Sequence, residues 1–318
     1  MCLKKWLFPA AAACSGVLAL LLLTCGNTAA QGVRDGISLC LASVIPALFP
    51  FFVAAQLLTT LGAAEVLGRA AGPLFRRLFG IDGAGAAAFL LGLLGGYPVG
   101  AKAAGSLVRQ GLLSPEDGAR LLIFCNNAGP AFILGIVGGG VFHSPRAGVW
   151  LDLLHAASAT AVGLLLCRAG GAKPPAVPRT ASVASRRSAV VPVKKPPASL
   201  AAAFIEAVQS GVRAMAGVCG FVIFFLVLLR LAEEALGSLP PLAAGLLELT
   251  NGILRLAPDR RGFITAAGLL GWGGLSVHGQ TAAVLGGSGI SLRRYLPAKA
   301  LQGALSAVLA AAVWRWVL

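Results

Sequence analysis

Polar and ionisable residues are rare inside the long apolar runs of this chain, and one of those runs carries groups suited to binding a small anion. Gly95, Gly96 and Pro98 interrupt the run just before Lys102. Lys102 supplies a cation, and Tyr97 supplies a ring that can stack on a planar ligand. A backbone broken at membrane depth needs protein or water to satisfy its N–H and C=O groups. The break is therefore a candidate binding site.

Each of these residues also has a structural alternative. Lys102 can instead extend to the membrane interface, and Tyr97 can anchor the same segment there. Asn126 and Asn127 stand side by side in the next apolar run, followed by Gly129-Pro130. Two amides at such a position either bind substrate or bond to a neighbouring helix. Both interpretations stay open at this point.

A second interrupted run, in the other half of the chain, carries Ser276, His278, Gln280 and Thr281. His278 is either a proton carrier, because imidazole titrates near neutral pH, or a packed core residue. The two runs together predict one shared substrate site. Its candidate residues are Gly95, Gly96, Tyr97, Lys102, Asn126, Asn127, Ser276, His278 and Gln280.

Enzymatic chemistry is not indicated by the sequence. The spacing from Gly95 to Gly100 and Lys102 departs from a phosphate-binding loop, because Ala101 separates Gly from Lys and no Ser or Thr follows. No His and carboxylate cluster has metal-ligand spacing, and the seven Cys form no Cys-x-x-Cys pair. We predict no catalytic residue, no bound metal and no cofactor, and hence a protein that is not an enzyme.

Composition places these residues in a membrane. The 318 residues are 57% hydrophobic and 12% charged, and their mean hydropathy is +0.84, which predicts a polytopic integral membrane protein. The formal net charge is +15, but Lys and Arg fall mainly between the apolar runs. This distribution is typical of cytoplasmic loops that obey the positive-inside rule and does not indicate a nucleic-acid partner.

We divide the chain into four parts. Residues 1–30 are predicted to be a transmembrane helix, with a cleaved signal peptide as the alternative. Residues 31–167 form a first repeat and residues 199–318 a second. Residues 168–198, rich in Pro, Ser, Lys and Arg, form a basic cytoplasmic linker.

Internal duplication supports the two repeats. Three pairs of runs correspond in order: Gly32-Val33-Arg34 with Gly211-Val212-Arg213, Gly92-Leu93-Leu94-Gly95 with Gly268-Leu269-Leu270-Gly271, and Gly111-Leu112-Leu113 with Gly289-Ile290-Ser291. Between the starts of the copies we count three crossings, at about 37–61, 119–142 and 147–167. An odd number inverts the second copy. Arg293 and Arg294 then fall outside, against the positive-inside rule, so the topology of the second half stays open.

Local signals place the helices around the candidate site. Residues 84–108 are long and broken at the centre, which predicts a re-entrant helical hairpin, and we expect a second hairpin at the Ser276 cluster. Ser114 is the expected N-cap of the next helix, with Pro115 at its first position. That helix should break at Asn126. The predicted fold is an all-α polytopic membrane protein of two inverted repeats, each with a re-entrant hairpin.

The runs GLLGGYPVGAKAAGSL (92–107) and CNNAGPAFILG (125–135) resemble the hallmark runs of the YlbJ-type sporulation integral membrane proteins, also called stage V sporulation protein V. That family belongs to the nucleoside-recognition or Gate domain group, which also occurs in concentrative nucleoside transporters and ferrous-iron transport proteins. The resemblance covers about residue 32 to the C-terminus. Its motif positions match Gly95, Gly96, Tyr97, Pro98, Lys102, Asn126, Asn127 and Pro130.

The resemblance implies a protein of endospore-forming bacteria that moves dipicolinic acid from the mother cell to the forespore. The location would be the cytoplasmic membrane, specifically the mother-cell-derived outer forespore membrane if the host sporulates. The expected partners are this planar dianion, the lipid bilayer and a coupling ion of unknown identity, while oligomeric state and direction of transport stay open. Two alternatives remain: a nucleoside or nucleobase carrier, and a sporulation membrane scaffold that transports nothing.

Overall fold

The computed structural model describes residues 2–169 and 199–317, and within these ranges the chain is helical with short connections and no β-strand. The first half contains α1 (Cys2–Thr24), α2 (Gly26–Leu39), the π-helix π1 (Cys40–Val44), α3 (Ile45–Thr60), α4 (Ala63–Phe79), α5 (Ala84–Gly95), α6 (Val99–Arg109), α7 (Pro115–Cys125), the π-helix π2 (Ala131–Val141) and α8 (Pro145–Ala169). The second half contains α9 (Leu200–Leu236), α10 (Pro241–Leu247), α11 (Leu249–Leu254), α12 (Arg260–Trp272), α13 (Gly274–Val284), α14 (Tyr295–Val313) and a 3₁₀ turn (Trp314–Trp316).

Four helical stretches within the described ranges are long and apolar enough to cross a membrane: Gly26–Thr60, Pro145–Cys167, Leu200–Leu236 and Tyr295–Trp316. A fifth apolar stretch is bent by 98° between Gly68–Phe79 and Ala84–Gly95. The prediction of an all-helical polytopic membrane protein is confirmed. The inverted orientation of the halves stays a prediction.

Two predicted boundaries differ from the observed ones. The first helix break lies at Cys25, so residue 30, the expected end of the N-terminal part, falls inside α2. The span expected at 37–61 is longer, because α2, π1 and α3 run without interruption from Gly26 to Thr60. The predicted linker 168–198 lies outside the described residues except for its first two positions, which end α8.

The chain folds back on itself at the first predicted break. Helix α5 ends at Gly95 and α6 begins at Val99, and the two helices pack together at Gly92 and Gly100. A Cβ built on Gly92 would lie 3.0 Å from the Gly100 Cα atom and 1.7 Å from the carbonyl oxygen of Cys125. Glycine is thus required where α5, α6 and α7 meet, because no side chain fits between the backbones.

The second half is also interrupted beside the Ser276 cluster, where α12 ends at Trp272 and α13 begins at Gly274, but a re-entrant hairpin there stays a prediction. Helix α12 packs on α14, and α13 packs on α9. The chain also reverses between α10 and α11, where a Cβ on Gly252 would lie 2.2 Å from the Gly245 Cα atom. The reversal residue is Glu248. Gly271 of α12 serves the contact with α14, because it faces Gly303 there.

Helix α7 has the ends that the sequence predicts. The Ser114 hydroxyl accepts a hydrogen bond from the Asp117 main-chain N–H at 3.0 Å, and Pro115 occupies the first helical position. The helix ends at Cys125, residues 126–129 are not helical, and π2 begins at Ala131. Pro130 has no N–H to donate, and Gly129 lets the backbone touch Gly96 on the α5–α6 connection.

Candidate functional site

The side chain of Asn126 is the centre of a buried polar network at the α7 break. Its Nδ2 atom donates to the Thr281 hydroxyl at 2.8 Å and to the Tyr295 hydroxyl at 2.9 Å. Its Oδ1 atom accepts from the Ala101 main-chain N–H at 3.3 Å. Asn126 therefore joins α6, α13 and α14 to the end of α7, and its hydrogen-bonding capacity is largely used within the protein.

Lys299 of α14 reaches the same break and is fully buried. Its ammonium donates to the Asn126 carbonyl at 3.0 Å and to Gln302 Oε1 at 2.6 Å, and it lies 5.2 Å from the centroid of the Tyr97 ring. No ion pair between described residues includes Lys299. A helix C-terminus carries partial negative charge, so the end of α7 offers this cation a favourable position.

Asn127 belongs to the same network. Its Nδ2 atom donates to the Phe124 carbonyl at 2.7 Å, and its Oδ1 atom accepts from Gln302 Nε2 at 3.2 Å. Both asparagines are fully buried. The sequence left two interpretations of these amides open, substrate binding and bonding to a neighbouring helix. The structure contains hydrogen bonds of the second kind.

Tyr97 lies at the reversal between α5 and α6 and is buried. Its hydroxyl donates to the Leu270 carbonyl of α12 at 3.2 Å. Gly96, with φ +74°, lets the backbone turn next to Gly129 in a conformation that other residues rarely adopt. Gly95 ends α5 and packs against Val99. Gly95, Gly96 and Tyr97 therefore form the connection at which the chain turns from α5 into α6.

Lys102 lies elsewhere, on the exposed side of α6. Its ammonium donates to the Ser210 hydroxyl of α9 at 3.3 Å, and that hydroxyl donates to Gln56 Oε1 of α3 at 3.1 Å. Lys102 lines a cavity of about 350 Å³ between α3, α6, α9 and α13, which we call the groove. The groove is bounded by Phe52, Gln56, Lys102, Ser210, Arg213, Phe221 and Gln280, among other residues.

The second-half cluster contributes one residue to the groove. Gln280 lines it, and its Nε2 atom donates to the Ser276 hydroxyl at 3.4 Å. His278 instead packs edge-on between Trp272, at 4.4 Å between ring centroids, and Tyr295, at 5.4 Å. Neither ring nitrogen of His278 has a hydrogen-bond partner among the described residues. Ser276 and His278 are both buried.

The predicted site residues therefore divide between two places. Lys102 and Gln280 meet in the groove, whereas Asn126 and Asn127 lie in the buried network with Lys299. A separate small cavity of about 40 Å³ is lined by Gly96, Tyr97, Glu248, Thr250 and Gln280, among other residues. Gln280 lines both the groove and the small cavity.

Known proteins support the membrane assignment. Residues 41–142, which include both breaks of the first half, match the family model for nucleoside recognition called Gate. The chain contains a Gate domain. It is also similar to the sporulation integral membrane protein YlbJ of Bacillus subtilis (strain 168), with 27% identity over 318 aligned positions that cover 90% of this chain and 77% of that protein. The resemblance inferred from the two motifs is confirmed, and the protein is an integral membrane protein.

No solved structure matches the Gate domain or the rest of the chain. The described residues also contain no group of three or more His, Cys, Asp or Glu side chains placed to hold a metal ion. The candidate site described above therefore rests on the geometry of this chain and not on comparison with a solved relative.

Sequence reasoning missed Lys299 and Glu248. Each is an ionisable residue within a largely apolar segment, which is the same signal that singled out Lys102. Lys299 lies between Ala298 and Ala300 in α14, and Glu248 lies within the run from Leu239 to Leu256. Neither residue falls in a glycine-interrupted motif, which is the pattern that defines the predicted site.

Proposed function

We propose that this protein is a membrane transporter for a small planar anion, and that the anion is dipicolinate moved from the mother cell toward the forespore during sporulation. The observation that carries the proposal is the groove, in which Lys102 stands beside the broken segment of the Gate domain. The similarity to a sporulation integral membrane protein supplies the biological setting.

The lining of the groove suits such a ligand. Small-molecule sites are typically mostly apolar cavities of about 300–1,000 Å³ with a few placed polar groups. Here Lys102 and Arg213 provide two cationic side chains for the two carboxylates of a dianion, and Ser210 and Gln280 provide neutral hydrogen-bonding groups. Phe221 and other apolar residues provide surface for an aromatic ring.

The arrangement of helices suits alternating access. We infer that the chain reversals at Tyr97 and Glu248 are re-entrant hairpins in two inverted repeats, and that movement of one repeat against the long helices α3 and α9 opens the groove to each side in turn. Broken helices at midmembrane are the usual binding elements of such transporters. Glycine contacts such as that of Gly96 with Gly129 permit close backbone packing at these breaks.

The test is uptake of radiolabelled dipicolinate by the purified protein in liposomes. We expect time-dependent uptake that excess unlabelled dipicolinate suppresses, with protein-free liposomes as the baseline. A folded protein that takes up no label would favour the scaffold function.

A nucleoside carrier is the second candidate, because the matching family model is named for nucleoside recognition. Suppression of uptake by uridine or adenosine would support that candidate.

A further inference from the structure

Glu248 is a buried carboxylate at the point where the chain reverses between α10 and α11. Glu248 is 2% exposed. Among the residues whose burial the structure describes, no other Asp or Glu is buried. The Oε1 atom of Glu248 accepts from the Thr250 N–H at 3.2 Å, and its Oε2 atom accepts from the Asn251 N–H at 2.7 Å. No ion pair between described residues includes Glu248. A charged group so placed is costly in a membrane protein and commonly belongs to an ion or proton pathway.

Glu248 lines one cavity, and a residue bonded to it lines a second cavity. The first is the small cavity, whose volume of about 40 Å³ exceeds the roughly 10–15 Å³ needed for a water molecule. The second, lined by Asn251, is an open cavity of about 590 Å³, which we call the vestibule. The buried Oδ1 atom of Asn251 has no hydrogen-bond partner among the described residues. Glu248 thus lines the small cavity, and Asn251, whose N–H donates to its Oε2 atom, lines the vestibule.

The small cavity is adjacent to the groove. Gln280 lines both spaces, as does Val218 of α9. Glu248 therefore lines the small cavity, and the small cavity borders the groove. A change of charge at Glu248 would therefore take place in the cavity that Tyr97 also lines, and that cavity shares Gln280 with the groove.

We propose that Glu248 carries the proton that drives substrate transport through this protein. The inference rests on the transport function proposed above and names its coupling ion. In each cycle the carboxylate takes a proton from water in the vestibule and becomes a neutral carboxylic acid. It later releases the proton on the other side of the membrane, and the carboxylate forms again with charge −1.

Protonation also changes the hydrogen bonds at the reversal. A carboxylate accepts at both oxygens, whereas the acid uses one oxygen as a donor. One of the two bonds from Thr250 and Asn251 is then weakened, and the start of α11 loses part of its cap. The charge of Glu248 is in this way linked to the shape of the α10–α11 reversal.

The titratable groups around Glu248 are compatible with this role. Tyr97 faces the small cavity from the α5–α6 connection. His278 on α13 is turned toward Trp272 and Tyr295. In the vestibule, Glu233 pairs with both Arg230 and Arg255. No basic group of the described residues neutralises Glu248 by pairing with it.

The experiment uses the full chain in liposomes with the membrane potential clamped and dipicolinate as the probe. Two assays are compared: exchange of labelled for unlabelled dipicolinate without gradients, and accumulation driven by an acidic exterior. A gradient of about one pH unit supports roughly tenfold accumulation per coupled proton, because 1.4 kcal/mol corresponds to a factor of ten. We expect the wild type to perform both, and Glu248→Gln to exchange normally but lose the driven accumulation.

Controls separate coupling from folding. Glu116→Gln, at the exposed start of α7, should behave as wild type in both assays, and Glu248→Asp should retain coupling. If Glu248→Gln does not fold, a lumenal pH dye tests the wild type directly, since dipicolinate added outside should acidify the lumen. Exchange without lumenal acidification, accumulation driven by sodium instead of protons, or normal driven accumulation by Glu248→Gln would each overturn the inference. Absence of exchange in the wild type would instead reject the transport function itself.

Discussion

The ammonium of Lys299 donates to the main-chain carbonyl of Asn126, 3.0 Å away, at the residue where α7 ends. The two residues are 173 positions apart, so this bond ties the Gate domain to the last long helix of the chain. A carbonyl released by a helix break needs a donor when it is buried. Lys299 supplies that donor and also binds Gln302, which in turn holds Asn127.

Lys299→Met should destabilise the protein. The substitution keeps an apolar stem of similar length but leaves the Asn126 carbonyl and Gln302 Oε1 without their donor, and each buried unpaired group costs about 1–3 kcal/mol. We expect a lower midpoint of thermal unfolding in detergent. Lys102→Met is the matched control, since Lys102 is exposed, and it should change the midpoint little. An unchanged or higher midpoint for Lys299→Met would contradict the assigned role.

Gly100→Ala should disrupt the junction of α5, α6 and α7. A Cβ at Gly100 would lie 1.9 Å from the Cys125 carbonyl oxygen, so the helices must separate. Overpacking of this kind typically costs about 1–3 kcal/mol and at times more. The readout is thermal unfolding in detergent. Gly135→Ala on π2 is the control, because nothing lies within 4 Å of its added Cβ; equal midpoints for the two variants would show that the junction is looser than the structure indicates.

Lys102→Ala should impair transport without affecting stability. Hydrogen bonds to charged groups contribute about 1.5–3 kcal/mol, and the exposure of Lys102 places the expected loss of dipicolinate uptake at the lower end, at roughly tenfold. Lys102→Arg should retain most uptake because it keeps the cation. In a sporulating host, Lys102→Ala should lower dipicolinate content at normal protein level. Full uptake and full content would remove Lys102 from the substrate site.

Ser114→Ala should weaken the start of α7. Loss of the N-cap bond to the Asp117 N–H typically costs about 0.5–2 kcal/mol. Ser106→Ala on α6 is the comparison, since its hydroxyl accepts only from the Gln110 side chain at the surface. We expect a lower unfolding midpoint for Ser114→Ala alone. The same midpoint for both variants would mean that the cap contributes nothing to stability.

Local features of the fold were predictable from the sequence. The cap at Ser114, the break at Asn126 and the break after Gly95 were all placed correctly. Each depends on residue types within a few positions of one another, such as a capping hydroxyl or a proline without an N–H. The membrane character followed from composition because apolar helices of sufficient length need a bilayer.

The pairing of polar groups was not predictable in the same way. Sequence placed Lys102 and the two asparagines in one site, whereas Lys102 bonds to Ser210 and the asparagines bond to α13 and α14. The second reversal was expected near Ser276 because its glycine motif repeats that of the first half. The structure does interrupt the chain there, between Trp272 and Gly274, but it packs α12 on α14 and α13 on α9. The close approach of Gly245 and Gly252, which reverses the chain at Glu248, had no counterpart in the sequence motifs.

The sequence by itself determined that this chain is a helical membrane protein, where its first-half helices break, and which family motif those breaks carry. These properties depend on hydropathy and on backbone chemistry between residues a few positions apart, so each segment of the sequence is sufficient to predict them. Only the tertiary structure decided which polar groups face a cavity and which hold helices together. That choice depends on contacts between residues more than a hundred positions apart, such as Lys299 with Asn126, and a buried polar group takes whichever partner the packing brings within hydrogen-bonding distance.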